Sequence, residues 1–88
     1  MQVMNLNIRK SYPGQAISLL IVEFGEISKM LGYTFRIIDL VGKVVFEAII
    51  DQEIFDLDLK ILGGKGTYFL QVSDESSQIL EIEKIVLR

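Results

Sequence analysis

The densest group of side chains able to do chemistry in this sequence is acidic: Asp51, Glu53, Asp56 and Asp58. Neighbouring carboxylates can hold a cation or act as acid and base on a glycoside. Asp56 and Asp58 alternate with Phe55, Leu57 and Leu59, however, and a strand with one buried side needs polar residues at such positions whatever its function. A solvated strand face therefore accounts for them. Histidine and cysteine are both absent, so the commonest general base at neutral pH, the commonest nucleophile pairs and the usual zinc ligands are missing together. An enzyme is the least supported class, and no metal or cofactor is expected.

The run Gly63, Gly64, Lys65, Gly66, Thr67 has the look of a phosphate loop, but that pattern needs a glycine five positions before Gly64 and a helix after the lysine. Position 59 is Leu59, and Tyr68 to Val72 reads as a strand. A turn whose glycines supply positive φ is the reading that remains. Asp74, Glu75, Ser76 and Ser77 lack the ligand pattern of a calcium loop and read as a polar hairpin turn. Aromatic residues lying flat on one exposed sheet face can bind carbohydrate, and Tyr33, Phe35, Phe46, Phe55, Tyr68 and Phe69 are the candidates. Most fall on apolar faces, where core packing is expected; Tyr12 and Tyr68 need partners for their hydroxyls.

These residues must be positioned by strands. Runs rich in Val, Ile and aromatics, broken by glycine or polar clusters about every ten residues, give a sandwich rhythm. Seven strands are predicted: Val3 to Arg9, Ala16 to Phe24, Tyr33 to Asp39, Lys43 to Ile50, Ile54 to Leu59, Thr67 to Ser73 and Ile79 to Leu87. Between the second and third, Ile27, Met30 and Leu31 have helical spacing, but the segment is too short for more than a turn or two. The last strand changes phase: Leu80 and Ile82 share one face, whereas Ile85 and Leu87 have the opposite parity. A β-bulge near Glu83 and Lys84 would repair this. Alternatively Val86 continues the first face, and Ile85 and Leu87 pack against a partner chain.

The 88 residues suit a single domain, residues 1–88, and half of them are hydrophobic; a chain of this size buries roughly 60–65% of its unfolded surface. The net charge of −3 and the scattered Lys and Arg argue against a nucleic-acid partner, which requires clustered positive charge. The longest charge-free apolar stretch, Ala16 to Val22, has seven residues, against about 20 for a membrane-spanning helix. The first residues lack the basic start and apolar run of a secretory signal, so an exported chain would have lost, or never had, its own signal.

Three stretches, in order, resemble the type A C-terminal sorting domain of proteins exported by the type IX (Por) secretion system. FRIIDLVGKVV is similar to that family's strand, turn and strand element, through Ile38, Asp39, Gly42, Lys43 and Val44. FDLDLKILGGKGTYFLQV is similar to its next segment, through Leu57, Asp58, Leu59, Leu62, Gly66, Tyr68 and Phe69. The closing EKIVLR is similar to its terminal run, through Lys84, Ile85 and Val86 with basic Arg88. The resemblance runs from Tyr33, or from Tyr12 if the opening YPGQAISLL is included.

The resemblance implies an all-β, seven-stranded antiparallel Greek-key (immunoglobulin-like) β-sandwich serving as an address. The secretion machinery at the outer membrane would engage it, and it would then be cleaved or kept for surface attachment. It would travel as the tail of a larger secreted or cell-surface protein. Recognition is expected in Lys84, Ile85, Val86, Leu87 and Arg88, with turn motifs at Asp39, Gly42 and Lys43 and at Asp58, Gly66 and Tyr68. Main-chain pairing along an exposed strand is one physical way to be read. Two alternatives stand beside it: a non-catalytic sandwich that binds carbohydrate or a cell-surface partner, and a free-standing cytoplasmic protein that oligomerises through edge strands.

Overall fold

The computed structural model describes residues 6–11 and 19–87. Its strands are β1 (Asn7–Ser11), β2 (Leu19–Glu23), β3 (Thr34–Asp39), β4 (Val44–Ile49), β5 (Ile54–Asp58), β6 (Gly66–Ser73) and β7 (Ile79–Leu87), with a 3-10 turn at Ile27–Lys29 and a one-turn helix, α1 (Leu59–Leu62). Each predicted run overlaps one strand. The predicted starts Val3 and Ala16 lie outside the described residues, as do Tyr12, Pro13 and Arg88.

All strand pairings among the described residues are antiparallel. One sheet has the order β1-β2-β5 and the other β4-β3-β6-β7. Their apolar faces stack sandwich-fashion, because side chains two apart on a strand share a face and only one face of each sheet can be dry. Leu20, Val22 and Leu57 come from the first sheet, and Phe35, Ile37, Leu70 and Val72 from the second, all buried. Phe35 is the hub of the aromatic core: its ring centroid lies 4.8 Å from Phe55, 5.1 Å from Phe24 and 5.6 Å from Phe46. These tilted and edge-on contacts suit the ring quadrupoles, and they spend Phe35, Phe46 and Phe55 on core packing; Tyr33 and Tyr68 also pack inward, whereas Phe69, opposite Lys84, is half-buried on the outer face. Ile27 and Met30 of the short 3-10 segment pack inward, while Leu31 stays exposed.

The phase change in β7 has a different origin from the expected one. Ile85 pairs with Tyr68 and Leu87 with Gly66, and both apolar side chains are buried in the chain's own core. They do not pack against a partner chain, and Val86 does not continue a buried face. The register shifts between Val72 and Ser73, which leaves Leu80 as the extra residue, so the bulge sits there and not at Glu83 and Lys84. Leu80 turns toward the core and Ile82, opposite Gln71, faces outward with 55% of its surface exposed. The same parity places Glu81 and Glu83 on the core-facing side of this strand, the last of its sheet among the described residues, opposite Val72 and Leu70. Inward-facing charge on an edge discourages further strand addition.

Two hairpins share one turn design. In β3–β4, Asp39 Oδ1 accepts hydrogen bonds from the amides of Val41 (3.0 Å) and Lys43 (2.9 Å), the Gly42 amide donates to Asp39 O, and Gly42 has φ +89°. In β6–β7, Asp74 Oδ1 accepts from the amides of Ser76 and Gln78, both at 2.9 Å, and the Ser77 amide donates to Asp74 O. Ser77 takes the place of Gly42, at φ +69°. An aspartate side chain that imitates backbone, followed by a left-handed residue, closes both turns.

Strand β5 ends one residue earlier than predicted. Asp58 Oδ1 accepts the Lys60 amide at 2.8 Å, and the chain coils into α1. That bond offers the backbone a local alternative to the ladder, so Leu59 belongs to α1 and not to the strand.

Candidate functional site

The strand registers bring the three motif stretches to one end of the sandwich. Asp39 ends β3 opposite Tyr68, and Gly66 begins β6 opposite Leu87 near the end of β7. The β3–β4 hairpin tip, the glycine loop after α1 and the C-terminal strand end therefore share one pole. The other described loops, 24–33, 50–53 and 74–78, meet at the other pole, where the Phe24 amide donates to Glu53 O and the Ile50 amide to Tyr33 O.

At the first pole, Tyr68 fixes the glycine loop. Its ring is buried, and its hydroxyl lies 2.9 Å from Gly64 O and 3.2 Å from Leu62 O. A buried phenol needs a partner, and here the acceptors are backbone carbonyls that end α1 and open the loop. Asp58 caps the other end of the same short segment. Asp58 and Tyr68 thus brace the segment between them from either side, and Gly66 starts β6 just after it. Asp39, Gly42 and Lys43 form the hairpin beside it, and a shallow groove of about 240 Å³ runs between them, bordered by Leu40, Val41, Lys65 and Thr67.

Along β7 the side chains divide by parity. Ile85 and Leu87 are committed to the core, whereas Lys84, opposite Phe69, is exposed, and Val86, opposite Thr67, is half-buried on the outer face. Among the described members of the terminal motif, Lys84 and Val86 are therefore the ones that face outward; Arg88 lies outside the described residues. A second groove, of about 350 Å³, separates Leu6 and the start of β1 (Asn7 and Ile8) from Glu83 to Val86 on β7.

Charge is divided between the poles. The far pole carries Glu23, Glu26, Asp51, Glu53, Asp74 and Glu75, with Lys29 as the described cation among them. The hairpin pole carries Lys43, Lys60 and Lys65, while Asp39 and Asp58 turn carboxylate oxygens onto backbone amides. Between the poles, Arg36 and Glu47 pair at 2.9 Å on the outer face of the four-stranded sheet. Asp56 and Asp58 lie on the outer face of the three-stranded sheet and are exposed, as a wet strand face requires. Among the described residues no group of three or more Asp or Glu could hold a metal ion, and no helix is long and apolar enough to cross a membrane.

Sequence reasoning missed Leu40, Val41 and Ile61, which stand exposed at the hairpin pole. The signal was present: apolar residues at the tip of a turn, where polar ones are usual. Comparison with curated proteins and with solved structures gave no match. The family described as the secretion system C-terminal sorting domain matches residues 10–88, nearly the whole chain, a span that includes the three stretches gathered at this pole. The chain therefore belongs to the family of C-terminal sorting domains of the type IX secretion system.

Proposed function

We propose that this domain is a non-catalytic address that takes a secreted cargo through the type IX system to the cell surface, and that the machinery at the outer membrane reads the hairpin pole. The observation that carries this reading is the convergence of the hairpin turn, the glycine loop and the end of β7 through the pairs Asp39–Tyr68 and Gly66–Leu87. An address needs a stable shape and a readable end. Buried Ile85 and Leu87 anchor that end, and in this reading the outward-facing Lys84 and Val86 are read there, together with Asp39, Gly42 and Lys43 in the adjoining turn and Arg88 beyond the described strand. The strand order of the two sheets accords with an immunoglobulin-like Greek key. In this reading the domain is the tail of a larger protein.

The test separates recognition from folding. Deleting 84–88 would remove two core side chains as well as the signal, so outward-facing substitutions are the sharper tool. A secreted reporter fused ahead of the domain is expected to lose surface delivery with Lys84→Ser and Val86→Ser combined, while circular dichroism and thermal unfolding still report a folded domain. Normal delivery of that folded variant would refute recognition at this strand end.

A further inference from the structure

The tip of the β3–β4 hairpin carries Leu40 and Val41 side by side, 70% and 87% exposed, the highest values among the large hydrophobic residues described. Single exposed apolar side chains are ordinary. This pair is different because the fold does not ask for it. The turn is built by the Asp39 carboxylate and the left-handed Gly42, so positions 40 and 41 are free to be polar. Ile61, on α1 where it packs against β4, adds a third exposed apolar side chain at the same pole.

Cations accompany these residues. Lys65 borders the same groove as Leu40 and Val41, Lys43 closes the hairpin, and Lys60 precedes Ile61. At this pole the three lysines outnumber Asp39 and Asp58, whose carboxylates accept backbone amides, whereas Glu23, Glu26, Asp51, Glu53, Asp74 and Glu75 lie at the opposite pole with Lys29 as the described cation. Such a charge axis orients the molecule in an external field, turning its basic end toward an anionic surface. A protruding tip of two side chains is far smaller than the roughly 800 Å² per partner of a stable protein interface. Apolar side chains that enter a headgroup layer, with lysines held at the phosphates, need no such area.

We propose that the hairpin pole docks on an anionic lipid surface, with Leu40 and Val41 entering the headgroup region and Lys43, Lys60 and Lys65 facing the lipid phosphates. This contact does not depend on the sorting reading, because it requires no secretion machinery. The 88-residue chain is mixed with sedimenting vesicles of phosphatidylcholine alone, or with one part phosphatidylglycerol to two parts phosphatidylcholine. Binding is expected to the anionic vesicles, to fall with added salt, and to drop on the order of tenfold or more for Leu40→Ser with Val41→Ser and for Lys43→Gln with Lys65→Gln. Ile49→Ser, at an exposed residue near the other pole, serves as the control and should bind as the parent does. Failure to bind anionic vesicles, equal binding to neutral ones, or unchanged binding by folded tip variants would each overturn the proposal. Loss of reporter delivery in the tip variants without any vesicle binding would overturn it in favour of a protein contact.

Discussion

Replacing Ile85 by Ala should cost far more than replacing Ile82, although both are isoleucines on β7, three residues apart. Ile85 is 3% exposed, sits opposite Tyr68 and belongs to the core cluster; Ile82 is 55% exposed and faces outward opposite Gln71. Truncating a buried Ile to Ala removes transfer free energy and leaves a cavity, typically about 2–5 kcal/mol in total. Surface changes are usually within about 0.5 kcal/mol, and the loss of a β-branched side chain from a strand adds up to about 1 kcal/mol at either site. The difference should be at least about 2 kcal/mol. A domain of this size has roughly 4–13 kcal/mol in all, so Ile85→Ala removes a large share of it and lowers the melting temperature by roughly 8–40 °C. Urea unfolding followed by circular dichroism measures both variants. Equal costs, or a larger one for Ile82→Ala, would show that the β6–β7 register is wrong by one residue and that the bulge is not at Leu80.

Tyr68→Phe should lower stability by about 1–2 kcal/mol, since the lost hydroxyl is a donor to Gly64 O and leaves the buried Leu62 carbonyl with one fewer partner; unchanged urea unfolding would contradict this. Ser77→Gly should stabilise by about 0.5–1 kcal/mol because glycine accepts φ +69° without strain, and Gly42→Ser should do the reverse in the matching turn. Destabilisation by Ser77→Gly would count against the shared turn design. Asp74 should titrate below its ordinary value of 3.8, chiefly because the Gln78 amide donates to its carboxylate, with the Ser76 hydroxyl next. A carboxylate whose pKa is depressed in the folded state stabilises above its unfolded pKa. That contribution falls away as the pH drops below about 4 and through the lower native value. Carboxyl titration by NMR checks the shift, and a native value at or above 3.8 would refute it.

The strands were legible because burial on one side imposes a period of two, and Phe35 with Ile37, or Leu70 with Val72, carries that period without interruption. The end of β7 was legible only as a conflict. Sequence shows that apolar parity changes between Ile82 and Ile85, but which of the two faces the core depends on pairing with Tyr68 and Gln71, a contact distant in sequence. The β3–β4 bulge, which leaves Val45 extra between the Ile37–Phe46 and Ile38–Val44 pairs, was hidden for the same reason. Helix α1 is too short to display a helical period, and Leu59 also fits the strand alternation. The family motifs were visible one by one, yet their meeting at one pole follows from register and could not be read along the chain. Leu40 and Val41 fall in the predicted break between the third and fourth strands, but that they stand exposed at its tip follows only from the turn that Asp39 builds.

The most direct test of the account follows a secreted reporter joined ahead of this domain, in a bacterium with the type IX machinery and in the same strain lacking its translocon. The reporter should reach the surface or the medium only when the translocon is present, and should remain in the periplasm without it. Equal delivery in the two strains, or retention in both with the domain shown to be folded, would contradict the assignment of this sandwich as a sorting address.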